Sequence, residues 1–187
     1  MVFGENVKTI GASAFSGCTG LTEIVILGNV ATIGSSVFSG CENLSKVELN
    51  CKTLGDWLSG FPYVKYLTLG DNVTVISGTP FVGCQKLESI VVSSGNPVYN
   101  SGENSNSIIE TSTKTLVAGC KNTIITSSVT NIGERAFRGC SGLTSIEIPN
   151  SVTSIGERAF SNCSGLTSVT IPKSVISIGI NAFSGCI

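Results

Sequence analysis

Residues 148–169 read IPNSVTSIGERAFSNCSGLTSV, and residues 125–146 before them read ITSSVTNIGERAFRGCSGLTSI. The two stretches align without a gap, so this part of the chain repeats every 23 residues. The same phrase, Ile-Gly followed by Phe and Cys, returns from Ile10, Ile33 and Ile178. A fixed period of this length is typical of a solenoid, in which each coil buries its apolar face only against its neighbours.

Each coil contains a short run of alternating character, such as Ile146-Glu147-Ile148. Alternation at period two predicts a strand, and strands of successive coils are expected to stack in parallel. In residues 155–160 the apolar positions are four and five apart, which favours irregular or 3₁₀-like helical turns on the outer side. The predicted fold class is an α/β solenoid: a right-handed coil with an inner parallel β-sheet, short outer helical or 3₁₀ turns and one inserted β-hairpin.

The stretch from Ile148 to Val169 resembles the BspA-like class of leucine-rich repeats, whose pattern runs close to I-P-x-S-V-T-x-I-G-x-x-A-F-x-x-C-x-x-L-x-x-I. The match covers residues 1–49, 70–92 and 121–187. It implies a leucine-rich-repeat solenoid. It also implies an extracellular or cell-surface protein, because such proteins are typical of the surface of anaerobic bacteria and of some protozoan parasites. Several act as adhesins toward host and matrix proteins.

One solenoid domain is expected over residues 1–187, with two irregular coils. The coil 50–69 gains Trp57 and Phe61, which either fill a gap in a shortened coil or form an aromatic patch for a partner. The coil 93–125 carries two β-branched runs around Ser112-Thr113-Lys114, which predict a hairpin in place of the outer segment. This hairpin is either a wedge that changes curvature or a recognition edge. Neither end shows a polar capping coil, so we expect a fragment of a longer array or self-association through the ends.

Cysteines occupy one fixed slot of the repeat, at Cys18, Cys41, Cys84, Cys140, Cys163 and Cys186. This slot lies three residues before the recurring leucine of the repeat, so we expect it to be buried. Cysteine behaves as a small hydrophobic residue in such a position. Neighbouring coils lie close enough for disulfides, at ~4.8 Å. We nevertheless favour free thiols, because Cys84 has no cysteine in that slot of the coil before or after it.

The composition argues against several classes of function. The formal net charge is −1, so there is no basic field for nucleic acid. There is no histidine, which removes the usual Ser-His-Asp and Cys-His catalytic sets and the commonest zinc ligand. No apolar run is long enough to cross a bilayer. We therefore expect no enzyme activity, no cofactor, no metal, no nucleic-acid partner and no membrane insertion.

The candidate binding surface consists of the outward-pointing residues of the predicted strands. These residues are Glu23, Lys46, Glu48, Tyr66, Thr68, Ser89, Ser145, Glu147, Ser168 and Thr170. Together with the resemblance, they favour a non-catalytic binding or adhesion module whose partner is a host matrix protein or a surface glycoprotein. The alternatives are a structural spacer with no ligand of its own and an intracellular scaffold, for which reduced cysteines would be natural.

Overall fold

The computed structural model describes residues 1–28, 30, 32–55, 63–78, 80–82 and 86–186. Trp57, Phe61 and Cys84, about which the sequence made predictions, lie outside the described residues. The described residues divide into two compact units, Met1–Leu87 with Val92–Pro97, and Glu88–Val91 with Val98–Ile187. The expectation of one solenoid domain over residues 1–187 stays a prediction.

The first unit contains strands on two sides of each coil. They are β1 (Val2–Phe3), β2 (Thr9–Ile10), β3 (Glu23–Leu27), β4 (Thr32–Ile33), β5 (Lys46–Asn50), β6 (Thr53–Leu54), β7 (Tyr66–Leu69) and β8 (Val75–Ile76). The next strand, β9 (Ser89–Val92), has residues in both units.

A parallel sheet with the order β1-β3-β5-β7 forms one side of the first unit. Its alternate side chains point into the core, as the period-two pattern requires. Ile24, Val47 and Leu67 lie in register and are only 0%, 2% and 4% exposed. The predicted inner parallel sheet is confirmed for these coils. A second set of parallel pairs, β2 with β4 and β6 with β8, forms the other side.

The second unit is organised around a six-stranded sheet in sequence order. Its strands are β10 (Tyr99–Asn100), β11 (Ser107–Glu110), β12 (Thr115–Gly119), β13 (Asn131–Ile132), β14 (Ser154–Ile155) and β15 (Ser177–Ile178). The pairs β10–β11 and β11–β12 are antiparallel, and the later pairs are parallel. Leu116 of β12 aligns with Ile132 of the next coil. The hairpin therefore replaces the Ile-Gly segment of its coil, as predicted.

Phenylalanine rings form a stacked column through the second unit. The Phe137 and Phe160 rings are 4.9 Å apart between centroids and 7° from parallel. The Phe160 and Phe183 rings are 5.1 Å apart and 4° from parallel. Because the repeat places one phenylalanine in the same slot of these three coils, the 23-residue period of the sequence becomes a continuous column of stacked rings.

The outer segments form a ladder of turns, so the prediction of outer helical or 3₁₀ turns is wrong for the described residues, which contain no helix. Successive N–H groups in this segment bond in two directions. Ala136 N donates to Gly133 O within its coil at 3.4 Å, while Phe137 N donates to Ala159 O of the next coil at 2.7 Å. In a 3₁₀-helix every N–H would bond three residues back along the same segment.

Left-handed backbone positions explain why no helix forms. The fourth residue of the Ile-Gly phrase has a positive φ of 52° to 56° in five coils, at Ser13, Ser36, Arg135, Arg158 and Asn181. Four residues later φ is positive again, at Gly17, Gly40, Gly139, Asn162 and Gly185. A left-handed residue interrupts a right-handed helix. The described residues therefore form stacked β-solenoid coils without outer helices.

The sequence predicted inner strands around Ser145, Glu147, Ser168 and Thr170. This prediction is wrong, since residues 143–148 and 166–171 form no strand. In the first unit, the residue after the last inward position donates to the preceding coil. Gly70 N bonds to Leu49 O at 2.7 Å, and Ser93 N bonds to Leu69 O at 2.8 Å. Pro149 and Pro172 hold this position in the second unit and have no N–H to donate. The ladder therefore lacks this rung at the end of each of the two runs.

Candidate binding surfaces

The strand face of the first unit, meaning the outward-pointing residues of β3, β5 and β7, brings five predicted residues together. Glu23 lies beside Lys46, and Lys46 lies beside Tyr66, in one row of the sheet. Glu48 lies beside Thr68 in the next outward row. The first row is exposed and the second is half-buried. The alternation thus predicted correctly that these side chains point away from the core, and their role in binding stays a prediction.

The strand face combines one aromatic ring with mixed charges. Lys46 Nζ lies 3.8 Å from Glu23 Oε1, and both side chains are about half exposed. An exposed ion pair of this kind contributes ~0–1 kcal/mol and is weakened by salt. The Tyr66 side chain beside it is 45% exposed. An accessible tyrosine next to a loose ion pair suits a protein contact, where tyrosine is enriched.

The other five predicted residues belong to the second unit. Ser89 is half-buried on β9. Ser145, Glu147, Ser168 and Thr170 are exposed and line an open depression of about 790 Å³ between residues 145–150 and 168–173. The prediction that these four continue a paired strand face is wrong. The structure instead gathers them around a depression whose walls are two unpaired runs of backbone.

A polar groove in the first unit was not foreseen from the sequence. Its volume is about 550 Å³, and its polar lining side chains are Glu5, Asn50, Lys52, Asp71, Asn72 and Thr74. Asn50 Oδ1 accepts a hydrogen bond from Asn72 N at 3.0 Å, which fixes the amide at the wall. The residues come from the end of β5 and from the connections after β1, β5 and β7, so only stacking of the coils brings them together. The one sequence signal was the recurrence of polar residues in these connections.

The hairpin is part of the core of the second unit. Ile108 and Leu116 are fully buried, and the buried Ser105 hydroxyl donates to Ile124 O at 2.7 Å. One edge of the hairpin is paired with β10 and the other with β13. The interpretation of the hairpin as a free recognition edge is therefore wrong, since both of its edges already have partner strands. Its exposed part is the turn at residues 111–114.

The cysteine slot supplies hydrogen-bond donors between coils. Cys163 Sγ donates to Phe137 O at 3.0 Å, and Cys41 Sγ donates to Phe15 O at 3.1 Å. The described cysteines are free, as predicted, although Cys18 is exposed rather than buried. Burial, helped by the neighbouring thiol of Cys186, raises the pKa of Cys163 to about 12. A thiol held protonated in this way is a poor nucleophile.

The described residues contain no group of three or more His, Cys, Asp or Glu side chains arranged to hold a metal ion. Within the same part of the chain, no helix has the length and apolar character needed to span a bilayer.

The family of the chain follows from its repeats. The sequence profile described as BspA type leucine rich repeat region matches residues 1–110 and 117–187, in six copies. The chain belongs to this family of leucine-rich-repeat proteins, so the resemblance noted from residues 148–169 is confirmed. No curated protein sequence is significantly similar to the chain.

Solved structures share the fold. A leucine-rich repeat protein from Eubacterium ventriosum has a TM-score of 0.63 and 24% identity, over 95% of this chain and 55% of that one. A leucine rich cell surface protein from Faecalibacterium prausnitzii has a TM-score of 0.56 and 21% identity, over 100% and 64%. The pneumococcal vaccine antigen PcpA has a TM-score of 0.66 and 17% identity, over 99% and 59%. The chain thus spans roughly 55% to 64% of the length of these proteins.

Proposed function

We propose that this chain is a non-catalytic binding module of a cell-surface or secreted protein, and that it recognises another protein through the strand face of the first unit. The observation that carries the proposal is the row Glu23, Lys46 and Tyr66, which lies in register and exposed on three paired strands. The expected partner is a host extracellular-matrix protein or surface glycoprotein.

The physical argument rests on pre-organisation. Residues in register on paired strands have their backbone held at fixed spacing, so binding does not have to order the backbone that carries the ring and the charges. A half-exposed tyrosine offers a large contact area together with a polar tip. The Lys46–Glu23 ion pair is weak, so breaking it to form contacts with a partner costs little free energy.

Family membership and two of the structural neighbours support a surface location. The Faecalibacterium prausnitzii neighbour is described as a cell surface protein, and the pneumococcal neighbour as a vaccine antigen. The absence of histidine and the raised pKa of Cys163 support a non-catalytic role, because the chain has no imidazole base to activate a serine or cysteine and this buried thiol stays protonated.

Binding of the chain to immobilised matrix proteins, mucins and glycans tests the proposal. We expect saturable binding to one protein class, and a loss of affinity of at least roughly tenfold for Tyr66→Ala, the scale of an interface hot spot. Val75→Ala is the matched control, because this side chain is 41% exposed on β8 outside the strand face. Binding that survives Tyr66→Ala and Glu48→Gln would place the site elsewhere.

A structural spacer without a ligand is the second candidate. It is favoured by the small number of charged residues, 12% of the chain, and by the single aromatic side chain on the strand face. A folded sample that binds nothing in the panel, up to near-millimolar concentration, would favour the spacer over the binding module.

A further inference from the structure

The second unit contains two stretches of backbone, residues 144–148 and 167–171, whose N–H and C=O groups bond to no other backbone group in the described part of the chain. The same slots pair directly in the first unit, where Lys46 N donates to Thr22 O of the preceding coil at 3.2 Å. Ser168 holds the slot of Lys46 and makes no such bond. Exposed backbone groups without a partner strand favour pairing with another chain.

The depression of the second unit lies along these stretches, between two points where the same coils touch. Before it, Gly165 packs so closely on the preceding coil that a Cβ there would lie 2.5 Å from Ser141 O. After it, Ile176 N donates to Thr153 O of the preceding coil at 2.9 Å. The depression has a volume of about 790 Å³ and is lined by six consecutive residues of each coil. It is therefore a slot within the stack, bounded at both ends by contacts between coils.

Ile146 gives the slot an apolar patch between polar neighbours. This side chain lines the depression and is only half-buried, although its coil has coils of the chain on both sides. Ile24 and Val47, which hold the same position in the first unit, are 0% and 2% exposed. Ser145 and Glu147 on either side of Ile146 are exposed. The wall thus alternates between polar and apolar side chains, which is the pattern that a pairing strand would have to match.

Two charged side chains give the slot a direction. Glu147 on one wall and Lys173 on the other are exposed, and neither forms an ion pair within the described residues. In the 23-residue register Glu147 aligns with Thr170, so Lys173 lies three positions further along the chain direction. A segment running parallel to both walls would bring its third residue to Glu147 and its sixth to Lys173. A basic residue followed three positions later by an acidic one complements these charges.

We propose that this slot binds an extended segment of a partner protein, six residues long like each wall, inserted as a strand parallel to both stretches. The backbone of a strand offers N–H and C=O groups alternately to its two sides, so one inserted strand pairs with both walls. Backbone pairing supplies the affinity, and the alternate side chains supply the selectivity. Small apolar residues cover Ile146, the basic residue lies at Glu147 and the acidic residue at Lys173. This site is separate from the strand face of the first unit.

Titration of the chain with the capped hexapeptide Thr-Val-Lys-Val-Thr-Glu tests the proposal by isothermal titration calorimetry. We expect saturable binding with one peptide per chain. Methylation of the backbone nitrogens of the two valines removes donors from one side of the peptide and keeps every side chain. The methylated peptide should bind at least roughly tenfold more weakly, the scale of two lost hydrogen bonds. Equal binding of the two peptides, or no saturation up to near-millimolar concentration, overturns the proposal.

Reversal of one charge pair tests the placement of the segment. The peptide Thr-Val-Glu-Val-Thr-Glu should bind the unaltered chain about two- to fivefold more weakly than the first peptide, and Glu147→Lys should invert this preference. Glu103→Lys is the control, because Glu103 is exposed in the same unit outside the depression, and it should leave both affinities unchanged. Tyr66→Ala should also leave them unchanged, so this site and the strand face can fail separately. A preference that Glu147→Lys does not invert overturns the placement.

Amide hydrogen exchange tests whether the slot is open before the peptide binds. In the chain alone, Ser168 N should exchange much faster than Lys46 N and Tyr66 N, which hold the same position and donate to the preceding coil at 3.2 and 3.0 Å. The hexapeptide should slow exchange at Ser168, which faces the slot by the geometry of Lys46. It should not slow exchange at Ser145, whose N–H faces the opposite side of its coil by the same geometry. Protection of Ser168 without peptide would mean that the slot is closed or filled by a second copy, and would overturn the proposal.

Discussion

The thiol of Cys163 donates a hydrogen bond to the carbonyl oxygen of Phe137, 26 residues earlier, at 3.0 Å. The same relationship joins Cys186 to Phe160 and Cys41 to Phe15. Each cysteine thus fastens its coil to the previous one at the carbonyl of the stacked phenylalanine. This bond gives a reason why the slot holds cysteine rather than an aliphatic residue of similar size.

Replacement of Cys163 by alanine should lower the free energy of unfolding by about 1–3 kcal/mol, because it removes the donor and a buried sulfur atom. Urea denaturation followed by circular dichroism measures the change. Cys18→Ala is the control in the same slot, and since Cys18 is exposed its effect should stay within about 0.5 kcal/mol. Equal losses of stability in the two variants would show that neither the hydrogen bond nor the burial of Cys163 contributes to the stability of the chain.

The free energy of unfolding of the chain should fall as the pH rises above the ordinary pKa of a thiol. Burial raises the pKa of Cys163 from 9.0 to about 12, so between these values the folded state keeps a proton that the unfolded state has released. Cys163 contributes its full stability below pH 9 and loses it progressively towards pH 12, by at most about 1.4 kcal/mol per pH unit. Urea denaturation across this range measures the slope. Cys163→Ala should have a shallower slope, and an unchanged slope would contradict the assignment.

The repeat was enough to predict the stacked coils, the first unit's parallel sheet and the place of the hairpin. The period fixes which residues of adjacent coils meet, and alternation fixes which side faces the core. The outer segment could not be predicted in the same way, because apolar residues four and five apart fit a helical turn and a turn ladder equally. What distinguishes the turn ladder from a helix is the left-handed backbone at positions such as Arg158 and Asn162. Of these two residue types, only asparagine is known to favour that conformation, so the sequence alone could not predict it at Arg158.

The candidate surface was predicted only where the strands pair. Alternation located Lys46 and Tyr66 correctly, but it also implied a strand through Glu147, where Pro149 removes the next ladder donor. The polar groove could not be predicted, because Asn50 and Asp71 meet only through the stacking of separate coils. Features built from connections between strands depend on backbone geometry that the pattern of apolar residues does not encode.

The glycine after each isoleucine should be required wherever a preceding coil lies against it. A Cβ on Gly34 would lie 2.4 Å from Ala12 N, so Gly34→Ala should cost about 1–3 kcal/mol through backbone displacement. Gly11 holds the same slot with nothing within 4 Å of its Cβ position. Gly11→Ala, measured at low protein concentration by urea denaturation, should change stability by no more than about 0.5 kcal/mol. A comparable loss in both variants would mean that glycine serves the turn rather than the close approach of the coils.

The stacked phenylalanines should contribute unequally, according to how many rings cover each one. Phe160 is fully buried between Phe137 and Phe183, so Phe160→Ala should lower the free energy of unfolding by about 3–5 kcal/mol. Phe183 is half-buried and stacks on one described neighbour, so Phe183→Ala should cost clearly less. Urea denaturation of dilute samples measures both. If Phe183→Ala proved as costly as Phe160→Ala, the number of rings stacked on a phenylalanine would not set the free energy lost on its removal.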